Sequence, residues 1–201
     1  MNVTLDNNKL EAIPTGIRTL GALIHHVGSL PQLKQRVIQS ITINGNELQD
    51  WDAGSSLPLP SDASVRITTR PLAHVLMETA LSCRDYLPRL QEGAVSVAAD
   101  FHQGRQAEAF DTMNDLIEGL NWYTEFLRNI LTLRPREGER AASCLSSLNR
   151  ILAELVGAWE RQDFTLLADL LEYELVPELE AGTHYIEHLV ANLSADLGNG
   201  R

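Results

Sequence analysis

The sequence predicts an α+β protein of two modules: a strand-rich module with one helix over residues 1–70, followed by an antiparallel four-helix bundle over residues 71–201. Three observations predict it. Charge is balanced up to residue 70, where six basic side chains meet six acidic ones. Beyond that point there is no lysine, and ten arginines face twenty-one Asp and Glu, so the net charge of -11 belongs to the second module. Apolar residues alternate with polar ones in the first part and recur every three or four residues in the second. The dipeptide Asn44-Gly45, the strongest short hairpin signal in the chain, falls in the first part.

At 201 residues and 44% apolar composition, each module can bury a core of its own. Val3 and Leu5 alternate with polar neighbours, Asp6-Asn7-Asn8 supplies turn chemistry, and an extended pattern with Leu10 and Ile13 apolar resumes over residues 9–13, which reads as a hairpin. Pro14-Thr15-Gly16 stops the strand. Thr15 is placed to cap a helix on which Ile17, Leu20, Ile24 and Val27 form one apolar face, and Gly28 and Pro31 end it. Val37, Ile41 and Ile43 then share one face of a strand with Gln39 between them, and the Asn-Gly turn opens a second hairpin. After Trp51 and the loop at Gly54-Ser55-Ser56-Leu57-Pro58-Leu59-Pro60, a last strand turns Val65 and Ile67 inward with Arg66 and Thr68 outward.

This order of elements over residues 2–70, and in particular Ile41-Thr42-Ile43-Asn44-Gly45-Asn46-Glu47-Leu48, resembles the ubiquitin-like β-grasp family. The resemblance implies a fold that hosts sulfur carriers, protein modifiers and simple binding modules. The carriers end in Gly-Gly for activation. Here the last strand runs on through Thr69-Arg70-Pro71, and Leu197-Gly198-Asn199-Gly200-Arg201 lacks the pair, so carrier chemistry is not expected.

The second module carries four long helical stripes. The first is Leu76, Ala80, Cys83, Leu87, Leu90, Ala94, Val97 and Phe101, broken locally by Pro88 and Gly93; the second is Phe110, Met113, Ile117, Leu120, Leu127 and Leu131. Ala141, Leu145, Leu148, Leu152, Leu155 and Trp159 make the third, and Phe164, Leu167, Leu171, Leu175, Leu179, Ile186, Leu189 and Leu193 the fourth. Short connections at Gly104, at Arg134-Pro135-Arg136-Glu137-Gly138 and at Gln162-Asp163, with Asp163 as a cap, make successive helices antiparallel. Pro177 kinks or restarts the last helix. Gly104-Arg105-Gln106-Ala107-Glu108-Ala109-Phe110 and the helix over residues 111–120 resemble the helix-two entry of flagellar export chaperones of the flagellin-binding kind. That resemblance implies a bundle that holds an amphipathic segment of a client in its grooves.

Few residues point to chemistry. His184-Tyr185-Ile186-Glu187-His188 has the H-x-x-E-H spacing of an inverted zinc-protease site, with Asp196 as the acidic candidate downstream. The competing reading is two surface histidines beside a helix C-terminal dipole, and the same reading serves His25-His26. No histidine has Glu three positions before it, which excludes a di-iron bundle on that signature. Cys83 and Cys144 fit small core-packing residues. Trp159 continues an apolar stripe and reads as core, whereas Trp122 lies off the stripe and reads as an exposed anchor. Between Asp163 and Asp196 the chain has no Lys or Arg, so Glu172, Glu174, Glu178 and Glu180 around Pro177 form either a solvated face or a surface that steers a basic helix or loop.

The absence of a basic or apolar leader and of a membrane-length apolar stretch points to a cytoplasmic protein without a membrane partner. Acidity argues against nucleic acid. No phosphate-binding Gly-rich loop, nucleophile elbow or Cys-His pairing emerges, so the sequence predicts a non-enzymatic, cofactor-free and metal-free adaptor or export-chaperone-like module that binds a basic or amphipathic segment of a protein partner. A metal-dependent hydrolase built on His184, Glu187 and His188, and a self-assembling structural homo-oligomer, are the alternatives.

Overall fold

Positive φ angles at Asp6 (48°) and Asn7 (67°) close the first hairpin, and Asn44 (50°) with Gly45 (89°) closes the second, the left-handed pair of residues that a tight turn between twisted strands requires. The computed structural model describes residues 1–11, 13–14, 16–51 and 56–199. The chain divides into two units, Met1–Leu76 and Met77–Arg201, a little beyond the boundary expected at residue 70.

The first unit holds β1 (Asn2–Leu5), β2 (Asn8–Lys9), α1 (Leu20–Gly28), β3 (Arg36–Ile43), β4 (Asn46–Glu47) and β5 (Ser64–Pro71). The strands form one sheet in the order β2-β1-β5-β3-β4, with β1 parallel to β5 and the other pairs antiparallel. Leu20, Leu23 and Val27 of α1 pack with Val3, Leu5, Ile41, Val65 and Ile67 of the sheet. Val65 and Ile67 face inward and Arg66 outward, as their alternation requires. The helix begins later than its apolar spacing suggests: Thr19 caps it, its hydroxyl accepting from the Ala22 amide at 3.3 Å. Thr15, the cap read from sequence, and Gly54 and Ser55 of the expected loop lie outside the described residues.

The inward set of β3 also differs from the alternation. The register shifts between Ile38, opposite Thr69, and Ser40, opposite Thr68, so Gln39 is bulged and the side-chain parity inverts across it. Ile38 packs on the core together with Ile41 and Ile43. Val37, opposite Arg70, takes the other face.

Five helices follow: α2 (Leu72–His102), α3 (Gln106–Leu133), α4 (Gly138–Glu160), α5 (Phe164–Leu170) and α6 (Val176–Asn199). All eight stripe residues of α2 are buried. Pro88 does not break α2. It is exposed, so the carbonyl it leaves without an intrahelical donor faces solvent. Phe101 meets Phe110 at 5.9 Å and Tyr86 meets Trp122 at 5.6 Å, which sets α2 and α3 antiparallel.

Between α5 and α6 lies a π turn, Leu171–Leu175. Pro177 follows at the second position of α6, where the wider turn relieves the crowding that a proline ring imposes on the preceding carbonyl. The fourth stripe therefore stays on one side through the irregularity, with Leu171, Leu175, Leu179, Ile186, Leu189 and Leu193 fully buried. No helix of the described residues is long and apolar enough to cross a membrane.

Candidate functional site

Helix α3 has a groove on either side, and each follows from its side chains. Toward α2, Gly119 permits close approach. A Cβ there would stand 2.7 Å from the Tyr86 hydroxyl and would strike Leu90. Above this contact an open groove of about 640 Å³ is lined by Ser82, Tyr86, Asp115, Glu118, Gly119 and Trp122. Trp122, 40% exposed, meets the Tyr86 ring edge-on at 85° and stacks on Phe126 at 6.3 Å.

Toward α4 the groove is apolar, about 230 Å³, and floored by Met113, Leu116, Leu120 and Leu155. Its rim holds three large side chains open to solvent: Ile117 (47%), Val156 (57%) and Trp159 (43%). Trp159 was expected in the core as the end of the α4 stripe, and Phe110 and Ile117 as part of the α3 stripe. Instead Trp159 packs edge-on against exposed Phe110 at 5.1 Å. Periodicity assigns a residue to a face but does not say whether a neighbouring helix reaches far enough to cover it.

The four glutamates around Pro177 do not form one free face. Glu172 lies 3.5 Å from His102 Nε2 of α2, which also approaches Asp169. Glu174 pairs with Arg150 of α4 at 3.1 Å. Glu178 is half-buried; burial pushes its carboxyl above the usual range, opposed by the Arg150 charge and a hydrogen bond with Ser147. Glu180 is exposed. Trp122 is not brought together with them. It shares its groove with Asp115 and Glu118, which the sequence reading missed, although Asp115, Glu118 and Trp122 stand at positions i, i+3 and i+7 on one face of α3.

His184 and Glu187 are exposed and 3.4 Å apart. Asp196 is bound by Arg134 instead of turning toward them, and hydrogen bonding with that guanidinium holds its carboxyl below the usual range. Among the described residues no three His, Cys, Asp or Glu side chains converge with metal-ligand geometry. His25 and His26 sit in the last turn of α1. Cys83 is buried, and burial pushes its thiol up to about 12, so it packs as a small apolar residue. Cys144 is half-buried and shifted the same way by burial and by Glu178.

A family model described as a domain of unknown function (DUF8042) matches residues 78–182. The chain belongs to this family. The matched segment includes every residue named above as lining the two α3 grooves. An uncharacterized protein of Treponema pallidum (strain Nichols) is 23% identical over 200 residues, covering 94% of this chain and 98% of that protein. The likeness therefore extends over both units. No solved structure matches the chain.

Proposed function

We propose that this protein is a non-enzymatic protein-interaction module, an adaptor or export-chaperone-like factor of the cytoplasm, in which a β-grasp module precedes an antiparallel four-helix bundle. The bundle holds the apolar face of a partner's amphipathic helix in the seam between α3 and α4. The observation that carries this reading is the row of exposed Ile117, Val156 and Trp159 along one groove floored by apolar side chains. Fully burying such a side chain is worth about 1.5–3 kcal/mol, and a helix presents apolar anchors at i, i+3, i+4 and i+7 that match a seam of this kind. The acidic surplus of the second module favours basic flanks on the partner helix. The strand order β2-β1-β5-β3-β4 with α1 crossing between β2 and β3 supports the β-grasp reading of the first module.

The test is calorimetric titration of the full chain with a Leu/Lys amphipathic helical peptide and with a scrambled peptide of the same composition, in wild type and in Ile117→Asp/Val156→Asp. Wild type is expected to prefer the amphipathic register, and the double variant to lose about tenfold or more in affinity while its melting temperature holds. Equal binding of both peptides, or an unaffected double variant, overturns the reading. A mass that grows with concentration in wild type and not in the variant would assign the seam to a second copy instead.

A further inference from the structure

The α2/α3 groove lies on a different side of α3 from the apolar seam, and its chemistry selects another kind of ligand. We propose that it is a docking groove for an arginine side chain of a protein partner, the guanidinium lying against Trp122 and Tyr86 and pairing with Asp115 and Glu118. The inference goes beyond the helix-in-seam reading and does not require the seam to be occupied.

The groove itself comes from packing. Gly119 lets α2 approach α3 closely, because Leu90 and the Tyr86 hydroxyl take the space a Cβ would fill, and this seats Tyr86 edge-on against Trp122. Its lining sets the rings of Tyr86 and Trp122 beside the carboxylates of Asp115 and Glu118 and the Ser82 and Tyr86 hydroxyls. Trp122 keeps 40% of its surface in solvent although it has two aromatic neighbours. A tryptophan face is the best of the side-chain π surfaces for a cation.

Charge fixes the occupant. Several carboxylates of the second unit are held by arginines: Asp100 by Arg105, Glu125 by Arg128, Glu154 and Glu174 by Arg150, and Asp196 by Arg134. Asp115 and Glu118 have no ion-pair partner among the described residues, although they stand three positions apart on one helical face. Like charges at that spacing repel, and the module's acidic surplus deepens the local potential. A bound cation relieves the repulsion. A planar guanidinium suits this groove better than an ammonium, because it stacks on an aromatic face while its in-plane N–H groups reach two carboxylates.

The test is a titration of the full chain with acetyl-Arg-Arg-amide at low salt, followed through the indole N–H resonance of Trp122. Acetyl-citrulline-citrulline-amide serves as the neutral isostere and acetyl-Lys-Lys-amide as the ammonium control. The arginine peptide is expected to give a saturable shift with a dissociation constant on the order of 1 mM, weaker for the lysine peptide and absent for the citrulline peptide. Asp115→Asn/Glu118→Gln, which changes only exposed side chains, is expected to weaken binding about tenfold. Added salt is expected to weaken it in wild type. Ile117→Ser/Val156→Ser, which removes the seam's apolar rim without adding charge, leaves the titration unchanged, so failure here and failure of the seam are separable. Citrulline binding equal to arginine, an unaffected carboxamide variant, or a linear shift without saturation overturns the assignment.

Discussion

The phenol of Tyr123 on α3 lies against Gly182 of α6: a Cβ at Gly182 would stand 3.1 Å from Cζ of Tyr123 and closer still to its hydroxyl oxygen. The hydroxyl is buried and has no hydrogen-bond partner among the described residues, and burial raises its pKa far above that of a free phenol. Gly182→Ala is therefore expected to cost about 1–3 kcal/mol through overpacking, despite the better helix propensity of alanine. Gly93→Ala is the control. Its Cβ would meet only Leu116 at 4.0 Å, so it is expected to gain about 0.5–1 kcal/mol. Tyr123→Phe removes an unpaired buried hydroxyl and is expected to leave stability unchanged or higher, and to recover part of the Gly182→Ala loss in the double variant. Urea unfolding of the four proteins decides it. A stabilised Gly182→Ala would show that the phenol yields without cost.

In the first unit a single carboxylate ties three strands. Asp6 accepts hydrogen bonds from the Thr69 amide at 2.7 Å and from the Thr69 hydroxyl at 2.6 Å, while that hydroxyl accepts from Arg36 Nε at 2.7 Å. Burial pushes the Asp6 pKa up, but the Thr69 hydrogen bonds and the Arg36 charge outweigh it and hold the group below its ordinary 3.8. A depressed folded pKa contributes stability that is present above 3.8 and lost as pH falls through the folded value. Asp6→Asn is expected to cost about 1 kcal/mol at neutral pH and to remove this acid-side loss. Hydrogen exchange at the Thr69 amide reads both effects locally, and an unchanged exchange rate in the variant at neutral pH would contradict them.

The residues that were legible in the sequence are those whose local chemistry has one outcome. Asn44-Gly45 demands positive φ and gives a turn, and Asp163 caps α5 by accepting from the Leu166 amide at 3.0 Å. The α2 stripe, eight apolar residues at helical spacing, is buried along its whole length. Gln39 was illegible, since a bulge changes parity without changing composition. The acidic run from 163 to 196 holds no Lys or Arg, yet the Arg150 guanidinium and the His102 imidazole reach it from α4 and α2. The exposure of Trp122 was legible from its place off the α3 stripe. Its neighbours were not, because the meeting of Tyr86 with Asp115 and Glu118 depends on how α2 and α3 align over Gly119.

Glu178 behaves oppositely to Asp6. Burial raises its pKa from 4.5, with Arg150 and Ser147 only partly opposing. An acid whose folded pKa is raised takes up protons in the fold before it does in the unfolded chain, so its contribution is favourable at low pH and falls as pH rises from 4.5 through the folded value. Glu178→Gln is expected to raise stability at neutral pH and to flatten the slope just above pH 4.5. Arg150→Gln is expected to steepen that slope. Denaturant midpoints measured through this window check the sign. A variant Glu178→Gln less stable than wild type at pH 7 would show that the Arg150 charge and the Ser147 hydrogen bond outweigh desolvation.

Two helix ends of the second unit share one geometry with different residues. After α2, the Arg105 amide donates to the Asp100 carbonyl at 2.8 Å and the Gly104 amide to Phe101 at 3.0 Å; after α4, the Asp163 amide donates to Ala158 at 3.0 Å and the Gln162 amide to Trp159 at 2.9 Å. Both motifs need a left-handed residue. Gly104 has φ 72°, and Gln162 takes φ 55° with a Cβ that disfavours it. Gln162→Gly is therefore expected to stabilise by about 0.5–1 kcal/mol, and Gly104→Gln to destabilise by a similar amount. Asp163→Ala, which leaves the Leu166 amide without its acceptor, is expected to cost about 1 kcal/mol. Because Trp159 precedes this turn and borders the apolar seam, unfolding of the three variants is best followed with Trp159 fluorescence in a Trp51→Phe/Trp122→Phe background. A destabilised Gln162→Gly would mean that the glutamine side chain contributes a contact worth more than its backbone strain.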